Sequence, residues 1–318
     1  MEVVMSVLPF ASRLPAFAPI HPLGRGPLGE WVSLVWPLEQ GQRGEHPLVV
    51  KTYLLASGLG PETRLPLEEA LTQAVPLRHP GIARLHGFQV DARDTLTVVS
   101  DYVPGCSLAT ARRRVAGRGA RLSEAFVCHV GAEVAGALHA AHVTRVVHGD
   151  VRANRIRLGP RGEVTLTDFG LRPACRLLRR FASPIRPDEV APPPVPEEAV
   201  DAPLEAHADL RALGRVLLEL VTGRAAVSAP AEVEAGLREL SPAPREVLGR
   251  LLFDAPRQED TGARLQADLR ACCHAGAEVV REVAALPGAG PLSPVDVYVG
   301  AASVMTASVP VRARALKS

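Results

Sequence analysis

The sequence has 318 residues, 47% of them hydrophobic, which suffices for one large or two moderate domains with a buried core. Its formal net charge of +2 lacks the basic excess that nucleic-acid binding requires, so no nucleic-acid partner is expected. No apolar run reaches the roughly 18 residues of a membrane span, and the N-terminal residues lack the basic flank of a signal peptide. The five cysteines show no CxxC spacing and indicate reduced thiols in a cytoplasmic protein.

Residues 18–103 are predicted to form a small, mostly β lobe with one helix. The segments APIHPL and EWVSLV flank a glycine turn, and PLVVKTYLL is a third strand, apolar on both sides of a single lysine. A helix is expected at about 65–75, where Pro76 ends it. The segments IARLHGFQV and TLTVVSDYV, within 82–103, are two further strands.

Residues 104–286 are predicted to form a larger, mostly helical lobe. Apolar residues recur at helical spacing over 122–145 and over much of 208–274, while RIRL and EVTLT are short strands joined by a turn. The predicted fold class is therefore α+β with two lobes, the smaller built on an antiparallel sheet. Residues 1–17 are interpreted as an N-terminal extension and 287–318 as an irregular C-terminal tail.

The first chemical motif is GRGPLG, whose glycines are Gly24, Gly26 and Gly29. Glycine allows a backbone turn to approach phosphate oxygens closely and to present its N–H groups to them. The pattern alone is weak, since a plain hairpin turn has the same composition. Its position between two strands argues against a dinucleotide-binding turn and favours a flap over phosphates.

Lys51 lies on the strand after the glycine turn, among apolar residues. Of the 36 basic residues only Lys51 and Lys317 are lysine, so the chain uses arginine wherever a generic positive charge suffices. A lysine retained inside the fold is therefore informative, and Lys51 is interpreted as the residue that pairs with nucleotide phosphates. The ordinary alternative is a solvated lysine at the edge of a sheet.

Two aspartates follow short strands in the second lobe: Asp150 ends the tripeptide HGD and Asp168 begins the tripeptide DFG. Each tripeptide alone occurs by chance in many proteins. The two together, one on each side of a hairpin, are a much more specific indication of a phosphoryl-transfer site. The chemistry explains the pair, because one carboxylate orients an acceptor hydroxyl while the other holds Mg²⁺ on the nucleotide phosphates.

On these motifs, from about residue 18 to 274, the chain resembles the bacterial serine/threonine protein kinases. The resemblance implies a protein substrate or partner, ATP in the cleft between the lobes, and phosphoryl transfer assisted by Lys51, Asp150 and Arg152. It places Ser100 as the gatekeeper of the adenine pocket. The residues implied to contact the nucleotide are Gly24, Gly26, Gly29, Lys51, Asp101, Val103 and Asp168.

Two further segments fit this family. Val195-Pro196-Glu197 resembles the motif that closes the activation segment, and Asp209 resembles the aspartate that braces the catalytic loop. Small-molecule phosphotransferases of the aminoglycoside type share the first lobe but not these segments, so they are a distant alternative.

The catalytic loop departs from the family pattern His-x-Asp-x-Lys-x-x-Asn, in which the asparagine binds a second Mg²⁺. In HGDVRANRI, Arg152 stands for the lysine and Arg155 for the asparagine, while Asn154 lies one residue early. A loop one residue shorter would make Asn154 a metal ligand beside Asp168, but it would turn Arg155 and Arg157 into the apolar lobe, where unpaired charge is unfavourable. The favoured register aims Arg155 at the metal position and Arg157 at the adenine floor.

Other family residues are also replaced. The glutamate expected to pair with the strand lysine falls at Ala70, with Glu69 just before it, and the threonine that seats hydroxyl substrates falls at Val190. We therefore expect Lys51 to lie within ion-pair reach of Glu69 or Asp168.

These features predict a cytoplasmic signalling protein that binds ATP in the cleft and acts on a protein partner, with phosphoryl transfer weak or absent. The alternative is an active serine/threonine kinase, supported by the intact Lys51, Asp150 and Asp168. A scaffold that binds no nucleotide is disfavoured, because Lys51 persists in a chain with almost no lysine. Use of Mg²⁺ depends on whether Asp168 is joined by Asn154 or faces Arg155.

Overall fold

A computed structural model describes the small lobe, the connection between the lobes and most of the large lobe. The described residues are 14, 16–26, 29–39, 42–55, 60–91, 93–181, 206–224, 229–254, 261–272, 280–281 and 283. Val190, the Val195-Pro196-Glu197 motif and the tail at 287–318 lie outside them, so those interpretations stay predictions.

The small lobe is an antiparallel sheet with one helix, as the sequence predicted. Its elements are β1 (Phe17–Arg25), β2 (Trp31–Glu39), β3 (Gln42–Arg43), β4 (Leu48–Leu54), α1 (Pro61–Ala74), β5 (Leu85–Val90) and β6 (Thr95–Asp101). The strands lie in the spatial order β1-β2-β4-β6-β5, and the short β3, which the sequence analysis did not predict, pairs with β2.

Strand β4 lies in the middle of the sheet and orients Lys51 by its alternation. Val50 packs on one face with Val99 of β6, whereas Val49 packs on the other face with Val32 of β2. Lys51 shares the face of Val49 and lies directly opposite Val32. Its side chain is therefore on the side of the sheet that faces the cleft.

The large lobe is mostly helical and carries a second, three-stranded sheet in the order β7-β8-β9. Its elements are β7 (Cys106–Ser107), α2 (Leu108–Ala116), α3 (Glu124–Val143), a 3-10 turn (Ala153–Arg155), β8 (Ile156–Leu158), β9 (Val164–Leu166), α4 (Arg172–Phe181), α5 (Ala206–Thr222), α6 (Pro230–Arg238), α7 (Pro242–Phe253) and α8 (Gly262–Ala271). Helices α2, α4 and α6 were not predicted from the sequence.

Helix α3 is the central helix of the large lobe. Ser123 caps its start by accepting a hydrogen bond from the N–H of Phe126 at 3.2 Å. A Cβ at Gly131 would lie 2.7 Å from a side-chain carbon of Leu217 and 2.8 Å from one of Leu269, so this glycine permits the close approach of α5 and α8. The loop that carries Asp150 follows α3, so it begins at the end of a helix that is tightly packed against α5 and α8.

Among the described residues, a parallel backbone bridge joins the two lobes behind the cleft. Ile82 pairs with Leu166 of β9 in a parallel bridge, in which Ala83 N–H donates to the carbonyl of Leu166 and Leu166 N–H donates to the carbonyl of Gly81, each at 2.9 Å. Leu166 precedes Asp168 by two residues, so this bridge fixes the base of the DFG segment. Among the described helices, none is long and apolar enough to cross a bilayer.

Candidate functional site in the inter-lobe cleft

Lys51 and Asp168 meet in the cleft, which confirms the expected ion pair. Lys51 Nζ donates to Asp168 Oδ1 at 2.5 Å, and only 16% and 14% of the two side chains are exposed. The alternative partner Glu69 is exposed on α1, where its carboxylate accepts a hydrogen bond from Gln73. The small-lobe lysine is therefore paired with the DFG aspartate and not with helix α1.

Helix α1 nevertheless touches the DFG segment. A Cβ at Gly170 would lie 2.8 Å from the carbonyl oxygen of Ala70, and the residue has a φ of 77° that favours glycine. Ala70, at the position of the family glutamate, thus packs its backbone against the segment without supplying a carboxylate.

Asp168 is an ionised carboxylate held in a restricted geometry. Burial alone would raise the pKa of Asp168, but the positive charges of Lys51 and Arg155 outweigh burial and lower it to about 2. Its φ of 72° lies in the left-handed region that a residue with a side chain rarely adopts. Its two cationic neighbours therefore stabilise both the charge and the direction of this side chain.

The depressed pKa of Asp168 predicts a contribution to stability that is lost in acid. A carboxyl group whose pKa falls from 3.8 to about 2 on folding stabilises the fold above about pH 4, and that contribution disappears as the pH falls toward 2. Asp168→Asn should therefore be less stable than wild type at pH 7, and the difference should shrink between about pH 4 and 2 in urea titrations. Glu232→Gln, at an exposed position of α6, should reproduce the wild-type profile. A pH-independent difference for Asp168→Asn would contradict the assignment.

The loop that carries Asp150 is fixed from below by Asp209 of α5. The buried carboxylate of Asp209 accepts hydrogen bonds from the backbone N–H groups of His148 and the following residue, at 2.8 and 2.6 Å, and from Nε2 of His142 at 2.9 Å. His148 donates from Nε2 to the carbonyl of Thr167 at 2.8 Å and accepts the N–H of Asp150 at Nδ1. The bracing expected of Asp209 is confirmed, and His148 ties the loop to the DFG segment.

The side chain of Arg155 lies between the two aspartates, with 5% of the residue exposed. Its Nη2 is 3.0 Å from Asp150 Oδ2 and donates to Cys175 Sγ at 3.0 Å, while its Nη1 is 3.8 Å from Asp168 Oδ2. Burial disfavours the charged form, but Cys175 and the two carboxylates outweigh burial and raise the pKa of Arg155. A permanent positive charge therefore occupies the space between Asp150 and Asp168.

The position of Arg155 also decides the register of the loop. Ile156 and Leu158 are fully buried in the large lobe, whereas Arg155 points at the two aspartates. Asn154, the candidate ligand of the shorter register, is exposed. The favoured register is the one that the chain adopts.

Asp150 is bound by a second arginine. Arg152 places Nε 2.7 Å from Asp150 Oδ1 and donates from Nη2 to Oδ2 at 2.8 Å. With Arg155 on the same carboxylate, both oxygens of Asp150 are engaged by guanidinium groups. Such charge-assisted contacts make a carboxylate a weaker acceptor for the proton of an incoming hydroxyl.

Arg157, which the sequence analysis expects at the adenine floor, is buried against the segment that joins the two lobes. Its guanidinium donates from Nε to the carbonyl of Val103 at 3.2 Å and from Nη2 to the carbonyl of Gly105 at 2.5 Å, and 6% of the residue is exposed. The head of Arg157 therefore stays inside the cleft and does not swing out to solvent. In the small lobe, Leu23, Val32, Leu34 and Val49 form an apolar cluster on the face of the sheet that carries Lys51.

Residues 99–103, which resemble the hinge of the family, also make contacts with the rest of the small lobe. The carboxylate of Asp101 accepts the backbone N–H of Arg84 at 2.9 Å and contacts Nε2 of His86 at 2.7 Å. The N–H of Asp101 donates to the carbonyl of Arg84 at 2.9 Å. These contacts hold the start of the hinge against β5.

The glycine turn between β1 and β2 is closed by its own hydrogen bonds. The N–H of Gly26 donates to the carbonyl of Glu30 at 2.8 Å, and the N–H of Gly29 donates to the carbonyl of Gly26 at 3.0 Å. Gly24 has a φ of 101° and Gly29 one of 79°, which glycine adopts readily. Two of the N–H groups that a phosphate-binding turn presents are thus used within the turn.

Glu30 is a residue of the site that the sequence analysis missed. It is 6% exposed, and a Cβ at Gly26 would lie 2.1 Å from Oε1 of its carboxylate. A negative charge therefore lies against the glycine turn, where the family binds phosphates. The one signal in the sequence was an acidic residue directly after Gly29.

This donor set does not fit Mg²⁺. Mg²⁺ prefers octahedral oxygen ligands, mainly carboxylates, phosphates and water. Here the guanidinium of Arg155 lies between Asp150 and Asp168, and Asn154 is exposed. In the described part of the chain, no group of three or more His, Cys, Asp or Glu side chains could hold a metal ion.

Comparison with known proteins relates this cleft to a family. Residues 45–274 match the family described as protein kinase domain. The chain is 35% identical over 214 residues to the serine/threonine-protein kinase PkaB of Streptomyces coelicolor, which covers 63% of this chain and 47% of PkaB. It is 29% identical over 246 residues to PkaA of the same organism, which covers 71% of this chain and 42% of PkaA. The chain thus spans less than half the length of these relatives.

A solved structure agrees in fold. The kinase domain of Mycobacterium tuberculosis PknI superposes with a TM-score of 0.61 at 23% identity, over 80% of this chain and 95% of that domain. The likeness supports the two-lobed fold alone.

Proposed function

Since the chain belongs to the protein kinase family, we propose that it is a cytoplasmic signalling protein that binds ATP in the inter-lobe cleft and acts chiefly through a protein partner. Phosphoryl transfer to protein hydroxyls is weak or absent. Kinases of this family use ATP and, in general, Mg²⁺. Cys106, Cys128, Cys175 and Cys272 form no disulfide among the described residues, which supports a reducing compartment.

The observation that carries the proposal is the guanidinium of Arg155 between Asp150 and Asp168. It places a fixed cation where catalysis by the family needs a metal ligand, and together with Arg152 it occupies the carboxylate that would orient a hydroxyl. The Lys51–Asp168 pair supports retained nucleotide binding, because it positions the lysine that contacts phosphates.

The test is thermal denaturation of the purified protein with ATP and Mg²⁺, and with ATP and EDTA. We expect ATP to raise the midpoint temperature of unfolding both with Mg²⁺ and with EDTA, since a ligand that binds the folded state stabilises it. Lys51→Ala should remove the shift. Transfer of label from radioactive ATP to the protein itself should stay near background. Robust autophosphorylation that disappears in Lys51→Ala and Asp168→Ala would contradict impaired catalysis.

Removing the negative charge of Glu30 should strengthen ATP binding. We expect Glu30→Gln to lower the Kd for ATP by roughly threefold to tenfold, about 1 kcal/mol, because like charges near the phosphates repel. Calorimetry in EDTA measures this directly. Glu45→Gln removes the same charge from an exposed turn and should leave the Kd unchanged. Equal affinities for all three proteins would place the phosphates away from the glycine turn.

One observation favours the alternative of an active serine/threonine kinase. Phe169 is buried, and its ring lies edge-on to His148 with centroids 4.7 Å apart, while Asp209 braces the loop. These parts are assembled as a working enzyme requires. An active enzyme would need Arg155 to leave the aspartates when Mg²⁺ and ATP bind, and the labelling assay distinguishes the two functions.

A further inference from the structure

The outer face of the small-lobe sheet, which points away from the cleft, carries an exposed strip. Trp31 of β2 lies opposite Thr52 of β4, and Thr52 lies opposite Thr97 of β6. Leu54 comes two residues after Thr52 and shares its face, because side chains alternate between the two faces of a strand. The outer strip consists of Trp31, Thr52, Leu54, Thr95 and Thr97.

The outer strip is uncharged, and its two largest side chains are apolar. Trp31 is 49% exposed and Leu54 is 68% exposed. They are diagonal neighbours on paired strands, a separation that an aromatic side chain can span. Among the described residues five large apolar side chains are exposed, and two of the five are in this strip. Single exposed apolar residues are ordinary on a protein surface, whereas adjacent ones indicate a contact surface.

The N-terminal part of the chain already lies on the same face, next to the outer strip. Leu14 and Phe17 pack against the buried cluster of Val35, Leu48, Val50 and Val99. On β4, Val50 precedes Leu54 by four residues, so this cluster continues directly into the strip. The face is therefore covered at one end and exposed at the other.

Residues 1–13, of which the structure describes none, match the outer strip in composition. Residues 3–12 read VVMSVLPFAS and contain no charged side chain. Six of these residues are large and apolar, namely Val3, Val4, Met5, Val7, Leu8 and Phe10. An uncharged, apolar segment thus precedes Leu14, which is itself packed beside an uncharged, exposed sheet face.

We propose that residues 3–10 lie along the outer strip and cover Trp31 and Leu54. Burial of these apolar surfaces against each other is the driving force, because it removes both from water. The outer face is on the opposite side of the sheet from Lys51, so the inference goes beyond the proposed function and does not depend on nucleotide binding.

The spacing of the apolar residues agrees with this placement. The four residues from Val50 to Leu54 span about 13 Å along β4, at about 3.3 Å per residue. Four extended residues before Leu14 span the same distance, so a segment that continues from Leu14 along the face brings Phe10 level with Leu54. Alternation in an extended segment puts Phe10 and Leu8 on the same side as Leu14, which packs against the sheet.

Acrylamide quenching of tryptophan fluorescence in the full chain tests the proposal. The two tryptophans are Trp31 and Trp36, so Trp36→Phe leaves Trp31 as the reporter. In that background, Leu8→Asp/Phe10→Asp should raise the quenching constant of Trp31 at least twofold and move its emission to longer wavelength, because a carboxylate is unfavourable against an apolar surface. Phe10→Leu keeps the segment apolar and should be quenched as the background is.

A substitution in the sheet tests the same contact from the other side. Leu54→Asp should lower the urea midpoint of unfolding, because it places a charge under the segment. Leu65→Asp is the matched control, since Leu65 is 53% exposed on α1, away from the outer face, and it should leave the midpoint unchanged. The effect of Leu54→Asp should disappear in the Leu8→Asp/Phe10→Asp chain, where the segment is already displaced.

Three results would overturn the proposal. The first is an unchanged quenching constant for Leu8→Asp/Phe10→Asp, and the second is an equal urea midpoint for Leu54→Asp and its parent chain. The third is protection of Trp31 that rises with protein concentration while sedimentation shows a dimer, because a second copy would then cover the strip. ATP should stabilise Leu8→Asp/Phe10→Asp as it does wild type, so failure of this inference and failure of the proposed function are separate results.

Discussion

Arg155→Asn should destabilise the protein in EDTA by about 3 kcal/mol, because it removes one partner from a buried group of charges. This loss of folding free energy is at the lower end of the range expected when a buried ion pair is broken, because Lys51 still neutralises Asp168 and Arg152 still binds Asp150. The same change introduces an oxygen ligand at the metal position. ATP affinity, which in wild type should differ little between Mg²⁺ and EDTA, should then rise at least tenfold with Mg²⁺, or about 1.4 kcal/mol.

Urea denaturation in EDTA measures the first effect, and calorimetry with ATP in Mg²⁺ or EDTA measures the second. Arg161→Asn is the matched control, since its side chain is 87% exposed in a turn. It should change stability by no more than about 0.5 kcal/mol. If wild type binds ATP tightly only with Mg²⁺, and Arg155→Asn does not alter this, then Asn154 is the ligand and the active kinase becomes the better proposal.

Arg157→Leu should strengthen ATP binding by roughly tenfold to a hundredfold, or about 1.4–2.8 kcal/mol. In wild type the buried guanidinium fills the adenine floor and uses the carbonyl of Val103. A base must displace this head before it can stack against Val49 and Val32. Leucine offers the base an apolar surface, but the carbonyls of Val103 and Gly105 lose their donor, so the substitution should also destabilise the fold by roughly 1–3 kcal/mol.

Adenosine is the sharper ligand for this test because it lacks phosphates. Arg157→Leu should bind adenosine measurably in calorimetry, whereas wild type and Arg157→Lys should not, because both keep a cation on the floor. Arg161→Leu controls for the loss of an arginine elsewhere. Equal adenosine affinity in wild type and Arg157→Leu would show that the head of Arg157 does not obstruct the base.

The parts of the site that could be predicted from the sequence are those fixed by local pattern. Alternation along RIRL determines that Ile156 and Leu158 are buried, and this sets Arg155 toward the aspartates. The scarcity of lysine distinguishes Lys51 in the sequence, and the structure places its amine against Asp168. The two-lobed fold could be predicted for the same reason, because the spacing of apolar residues within short segments indicates whether each segment is a strand or a helix.

The parts that could not be predicted depend on contacts between distant segments. Strands β3 and β7 are two residues long and exist only through their pairing partners. The carboxylate of Glu30 is a site feature because the glycine turn folds over it. The thiol of Cys175 belongs to the site because α4 packs beside Arg155, and that contact joins two segments that are 20 residues apart.

The bridge between Ile82 and Leu166 has a mechanical consequence for lobe motion. A rigid rotation leaves unchanged the distance from any moving atom to a point on its axis. Asp168 lies two residues from this bridge. If the small lobe rotated about an axis through Asp168, Lys51 would move along an arc centred on that axis. An axis that passed through Asp168 itself would preserve the Lys51–Asp168 ion pair while the small lobe turned, and atoms farther from that axis would move farther.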